Sequence, residues 1–199
     1  MVNGIIANID KRIVGRITNK DKNYSYLAEI IQLAGDGDHL EIGTLFGGSA
    51  ILVALLKKEY GYSGKVVCID PLDGYYKGVK NQCWEADPIA KIQVNRKTLD
   101  DNLRKFGVID EVEIIQSKSY PFPIENRRFA STYIDGNHWQ DWPSKDWRSV
   151  KDITEKYVLF DDYTKSHPAV VCACEEAKNS NDWKVLFLKE ASFALERIR

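Results

Sequence analysis

The chain has 199 residues, a formal net charge of -1, 44% hydrophobic residues and 29% charged residues. That is enough chain for one domain with a full core, and the mix is that of an ordinary globular protein. The balanced, scattered charge argues against a nucleic-acid footprint, and no apolar run approaches the ~20 residues that span a bilayer.

Met1 to Arg16 holds a short apolar stretch broken by Asp10, Lys11 and Arg12, a poor signal peptide; residues 1–20 read as an N-terminal extension placed to act as a lid. Tyr24 to Ala34 predicts an amphipathic helix, with Leu27, Ile30, Ile31 and Ala34 on one face. Gly35-Asp36-Gly37-Asp38 is a turn. His39 to Ile42 starts as a strand, turns glycine-rich through Gly43, Gly47 and Gly48, and runs into a helical pattern from Ala50 to Leu56, with Ser49 as its expected N-cap. Lys57-Lys58-Glu59 reads as a solvated helix end, and His39 as structural. Lys65 to Ile69 is a second strand. A long loop, Pro71 to Asp87, then carries Tyr75, Tyr76 and Trp84, which either close over a ligand or anchor the loop.

Ile89 to Phe106 is an expected helix with Ile92, Leu99 and Leu103 inward. Strands follow at Val112–Ile115, Ala130–Ile134 and Tyr157–Phe160, with a helix expected over Asp146–Glu155. His167-Pro168 marks the start of a helix over Ala169–Lys178, and two closing strands cover Trp183–Leu188 and Phe193–Ile198. Their short connection requires an antiparallel pair. The predicted fold is α/β: one doubly wound, mostly parallel seven-stranded sheet over residues 1–199, with an antiparallel C-terminal strand pair. Of the four cysteines, Cys68, Cys83, Cys172 and Cys174, none forms a C-x-x-C pair, so free thiols in a reducing cytoplasm are expected.

Strand, glycine turn and helix together present backbone N–H groups to a ligand, and an acid ending the next strand, Asp70, can take both hydroxyls of a ribose. A nucleoside-containing cofactor is the first inference. Acids also end later strands: Asp135, then the pair Asp161-Asp162. Adjacent carboxylates repel and need compensation. Three hard oxygen ligands suit Mg²⁺ or a similar cation; surface acids that cap helices are the alternative.

Glu41-Ile42-Gly43-Thr44 with Gly47-Gly48-Ser49, Val67-Cys68-Ile69-Asp70, Tyr133-Ile134-Asp135-Gly136-Asn137-His138 and Leu159-Phe160-Asp161-Asp162-Tyr163 together resemble class I S-adenosylmethionine-dependent methyltransferases. The nearest branch is the small metal-dependent O-methyltransferases of the macrocin and sugar type and, more distantly, catechol O-methyltransferase. The resemblance runs in order from about Tyr24 to the C-terminus and implies a Rossmann-like methyltransferase fold. It implies that Glu41, Gly43 and Thr44 line the methionine end of S-adenosylmethionine, and that Gly47, Gly48 and Ser49 form the turn into the helix. Asp70 would hold the ribose, Pro71 and Leu72 would flank the adenine, and Ser117, Lys118 and Ser119 would meet its edge. Asp135, Asp161 and Asp162 match the metal ligands, Asp135 lying also at the cofactor.

The chain departs from the pattern in two places. The catechol enzyme's lysine base has no match, and Asn137 stands where sugar enzymes often carry an acid. Asn cannot accept a proton at neutral pH, so His138 becomes the expected base, with a structural His packed on Trp139 as its alternative. The segment Gln140–Ser149, with Trp142 and Trp147, is long for the family and either walls an acceptor pocket or packs on the surface. The expected activity is methyl transfer from S-adenosylmethionine to a hydroxyl of a small molecule, a sugar or phenol, in the cytoplasm, with no nucleic-acid or membrane partner and a homo-oligomer left open. Two alternatives stand: a non-catalytic nucleoside-binding protein of the same fold, and a nicotinamide-dependent oxidoreductase, whose G-x-G-x-x-G spacing is absent here.

Overall fold

The computed structural model describes residues 1–15, 17, 22–72 and 94–198. Seven strands form one sheet: β1 (His39–Ile42), β2 (Val66–Ile69), β3 (Val112–Ile115), β4 (Phe129–Ile134), β5 (Thr154–Phe160), β6 (Trp183–Lys189) and β7 (Ser192–Arg197). Their order is β3-β2-β1-β4-β5-β7-β6. The first five strands are parallel, while β7 inserts antiparallel between β5 and β6. The expected doubly wound sheet with an antiparallel closing pair is therefore the observed one.

Register fixes where the site must lie. Ile42 pairs with Ile69 and Ile134, Ile69 with Ile115, and Ile134 with Phe160. The next residues of these strands leave the sheet at one edge, beyond the carboxyl ends, where open α/β sheets bind ligands. Asp70, Asp135 and Asp161 share that edge because they follow residues that share a level.

Alternation along the strands sends side chains into two cores. One face packs Val66, Cys68, Tyr133 and Leu159 against α1 (Val2–Arg12), α2 (Asn23–Ala34), α3 (Gly48–Tyr60) and α4 (Arg96–Lys105). The other packs Leu40, Ile42, Val67, Ile134 and Phe160 against α5 (Trp142–Val150) and α6 (Pro168–Lys178). Among the described residues no helix is long and apolar enough to cross a membrane.

Three boundaries differ from the sequence reading. Residues 2–12 form a helix that buries Ile6 and Ile9 and contacts α2 and α3. Val94 and Asn95 are not helical; α4 starts at Arg96, where Asn95 Oδ1 accepts a hydrogen bond from Thr98 N at 2.9 Å. Residues 89–93 of the expected helix, with Ile92, lie outside the described residues. The expected helix over Asp146–Glu155 starts and ends earlier. Pro143 suits the first turn, Asp146, Trp147 and Val150 are its buried side, and Thr154 already pairs with Phe129. Cross-strand pairing outcompeted continued helix at Thr154 and Glu155.

Candidate active site

The loop after β1 is shaped by close packing. Gly43 has φ +86°, and a Cβ there would lie 2.1 Å from the Asp135 carbonyl oxygen. Gly47 also has φ +86°, and a Cβ there would lie 2.6 Å from Leu99 Cδ1. These glycines let β4 and α4 approach the loop, a role the ligand-approach reading had not included. Gly47, not Ser49, is the N-cap of α3. Ser49 instead donates its hydroxyl to Glu41 Oε1 at 2.8 Å. Glu41 is fully buried, and burial pushes its carboxyl up to about 8. The Glu41–Ser49 pair braces the loop from within.

Asp70 ties this loop to the end of β2. Its Oδ2 accepts from Thr44 N at 2.8 Å and Leu45 N at 3.0 Å, and its Oδ1 from Leu72 N at 2.9 Å. The residue expected to hold a ribose thus serves first as the acceptor for backbone amides of the glycine loop. Ser117 N donates to the Asp70 carbonyl at 3.2 Å, which brings the loop of Ser117, Lys118 and Ser119 alongside. Ser117 and Ser119 are half-buried and Lys118 exposed. Pro71 is half-buried beside the buried Leu72. The buried Thr44 Oγ1 has no hydrogen-bond partner.

At the other half of the rim, Asp161 Oδ2 accepts from Tyr133 Oη at 2.8 Å and from Asn23 Nδ2 at 3.1 Å. Burial and the Asp162 charge raise its pKa. Desolvation and the facing Asp161 charge push the half-buried Asp135 up to about 7. The His138 ring stands between two carboxylates: Nε2 is 3.3 Å from Asp135 Oδ1, and Nδ1 is 3.3 Å from Asp162 Oδ2. Burial alone would lower its pKa, but the Asp135 interaction and the charges of Asp162 and Asp161 leave it above the ordinary histidine value. His138 therefore contacts the acids rather than serving only to pack on Trp139, which is exposed.

The expected ligand set of Asp135, Asp161 and Asp162 is not assembled. Among the described residues, the group whose donor atoms all lie within 4.8 Å of one another is His138, Asp162 and His167. Asp161 Oδ2 is held by Asn23 and by the Tyr133 hydroxyl, which also lies 3.5 Å from Asp135 Oδ2. As they stand, the carboxylates of Asp135, Asp161 and Asp162 do not all converge within 4.8 Å.

Further corrections concern the bulky residues. Trp147 is 1% exposed and packs against Phe160 and Trp183, so it is core and walls no pocket. Trp142 is half-buried under the Lys145 ammonium, 5.3 Å from its ring. Lys57 is no solvated helix end: it is 5% exposed and donates to the Gly37 carbonyl at 2.8 Å. Buried His39 bonds Ser131 Oγ at 2.8 Å, and burial lowers its pKa to about 3. Cys68 and Cys174 are buried thiols and Cys172 is exposed. Cys83, Tyr75, Tyr76 and Trp84 lie outside the described residues.

Two site residues escaped the sequence reading. His167 N-caps α6, and its Nδ1 lies 3.9 Å from Asp162 Oδ2. Its signal was a histidine five residues after the acid pair, inside one short loop. Asp146, on the buried side of α5, reaches the same rim: its Oδ2 lies 3.4 Å from where a Cβ on Gly136 would be. Nothing in the sequence separated it from the other acids.

Comparison with known proteins agrees with this fold. The O-methyltransferase NovP is 15% identical in sequence; its structure matches with TM-score 0.72 over 100% of this chain and 98% of that one. An O-methyltransferase from Bacillus cereus, solved in complex with SAH, is 14% identical and matches with TM-score 0.62 over 100% and 90%. TomG from Streptomyces achromogenes, an O-methyltransferase involved in tomaymycin synthesis and solved in complex with SAM, is 14% identical and matches with TM-score 0.63 over 98% and 88%. At such identities the likeness speaks for the fold. No curated protein matches the chain in sequence. Residues 40–163, from β1 through the Asp161-Asp162-Tyr163 segment, match the family model described as a methyltransferase domain. That span decides against the oxidoreductase alternative: the chain belongs to this methyltransferase family.

Proposed function

We propose that the chain moves a methyl group from S-adenosylmethionine to a hydroxyl of a small molecule, a sugar or a phenol. The observation that carries this reading is the single sheet edge. The Gly43–Asp70 loop system lies at one part of it, and the His138 ring, between Asp135 and Asp162, lies at another. The donor supplies an activated methyl on a sulfonium. The residues suited to hold it are Thr44, with its unpartnered buried hydroxyl, Asp70, and the Ser117–Ser119 loop.

His138 takes the acceptor's proton. The acceptor oxygen then forms its bond to the methyl carbon as the carbon–sulfur bond breaks, and the electron pair of that bond stays on sulfur. Positioning supplies most of the acceleration in such a direct displacement. For His138 to accept a proton it must be neutral, so its raised pKa puts the rising limb of the pH–rate profile above the ordinary histidine value of 6.5. The Mg²⁺-assisted form of the reading needs Asp135, Asp161 and Asp162 on one ion, and no step here runs through that ion.

Calorimetry with S-adenosylhomocysteine tests the donor site. Binding should be tight in the wild type and lost in Asp70→Ala. A methyl-transfer assay across hydroxyl acceptors tests the reaction. Donor binding without turnover on any acceptor would favour the non-catalytic alternative, and no donor binding would end the reading.

A further inference from the structure

Two imidazoles and a carboxylate meet outside the hydrogen-bonded Asp161. His138 Nδ1 is 3.3 Å from Asp162 Oδ2, His167 Nδ1 is 3.9 Å from the same oxygen, and the two rings meet edge to face at 5.1 Å. Donors around a tetrahedral ion, at about 2.0–2.2 Å from it, stand roughly 3.3–3.6 Å apart. Small side-chain rotations therefore close this set on one ion. The side chains are 20%, 38% and 24% exposed for His138, Asp162 and His167, so a fourth position faces solvent.

The far side of His138 fits the same reading. An imidazole that binds an ion through one nitrogen usually gives its other N–H to a carboxylate, which fixes tautomer and orientation. Here Nε2 lies 3.3 Å from Asp135 Oδ1, yet it is buried with no hydrogen bond made. A slight turn of the ring completes that bond and points Nδ1 at Asp162. Asp135 is then the orienting carboxylate rather than a ligand. The Thr164 hydroxyl, 3.1 Å from His167 Nδ1, is the contact an ion would displace.

The geometry points to a site for one late first-row divalent ion of the Zn²⁺ class, formed by His138, Asp162 and His167, whose filling takes His138 out of proton transfer. Imidazole nitrogen selects Zn²⁺, Co²⁺ or Ni²⁺ over Mg²⁺, which favours oxygen and water. The site itself stands apart from the methyl-transfer reading; its effect on turnover rests on it.

The test titrates the 199-residue chain with Zn²⁺ and Mg²⁺ by calorimetry, and with Co²⁺ by visible absorption. One ion per chain is expected, with Mg²⁺ bound at least ~100-fold more weakly. His167→Ala should weaken Zn²⁺ at least ~10-fold, while Cys172→Ser leaves it unchanged. Equal Mg²⁺ affinity, or full affinity in His167→Ala, overturns the site. The chain has 3 histidines, so imidazole NMR reads the answer without a variant. Co²⁺ should broaden His138 and His167 and spare His39; broadening of neither overturns the proposal. Bound Zn²⁺ should stop methyl transfer, a chelator should restore it, and the Zn²⁺ concentration that halves each protein's own metal-free rate should be at least ~10-fold higher in His167→Ala than in wild type. Turnover unaffected or raised by bound Zn²⁺ overturns the competition with the base. Binding of S-adenosylhomocysteine to the metal-free chain is scored separately, so failure of the donor site stays distinct from failure of the ion site.

Discussion

Asp146→Asn isolates a buried charge. Asp146 is 1% exposed, with the Ser119 hydroxyl beside its carboxylate. Burial pushes its carboxyl up to about 7 from the usual 3.8; the Ser119 hydroxyl and the His138 charge oppose the shift without cancelling it. A raised acid loses stability as pH rises: the contribution is full below the unfolded pKa and gone above the folded one. Each unit is worth about 1.4 kcal/mol, so two units, from about pH 5 to about pH 7, remove roughly 3 kcal/mol, and little changes above that. Asparagine keeps the shape and never ionises. The variant's stability relative to wild type should therefore grow by up to about 3 kcal/mol between about pH 5 and about pH 8. Glu41 and Asp135 titrate in both proteins and cancel in the comparison. Urea unfolding at the two pH values measures it. A difference between variant and wild type that does not change with pH would refute the reasoning.

Asp70→Ala strips the acceptor from the Thr44, Leu45 and Leu72 amides, so unfolding should become easier by about 3 kcal/mol or more, read by denaturant melts; unchanged stability would mean water replaces the carboxylate. Gly43→Ala puts a Cβ 2.1 Å from the Asp135 carbonyl and should abolish methyl transfer or folding; a wild-type melt with normal turnover would show that the two loops yield. Trp147→Ala should cost about 3–5 kcal/mol by thermal unfolding while sparing donor affinity, because the ring packs on Phe160 and Trp183; loss of donor binding in a folded variant would return it to the pocket wall. His138→Gln should lower methyl-transfer rate by roughly 10²–10⁴-fold and erase the rising pH limb. A limb that survives the change would assign the proton to another group.

Much of this protein is written in its local sequence. Alternating apolar strands and helices such as Tyr24–Ala34 carry their own periodicity, and acids standing directly after apolar strands must end at the sheet's carboxyl edge. Hence the sheet, its antiparallel closure and the shared edge of Asp70, Asp135 and Asp161 were readable without coordinates. Local pattern failed where two elements compete for the same residues: Thr154 and Glu155 read as helix until Thr154 could pair with Phe129. It also failed where a partner is distant in sequence. Asp161 is taken by Asn23, 138 residues away, and Tyr133, while Asp162 turns to His138 and His167. Adjacent carboxylates look equivalent in a chain because spacing encodes direction only along one element. Which of them faces an imidazole and which faces a hydroxyl is set by contacts between elements, and those exist only once the sheet and its helices have closed.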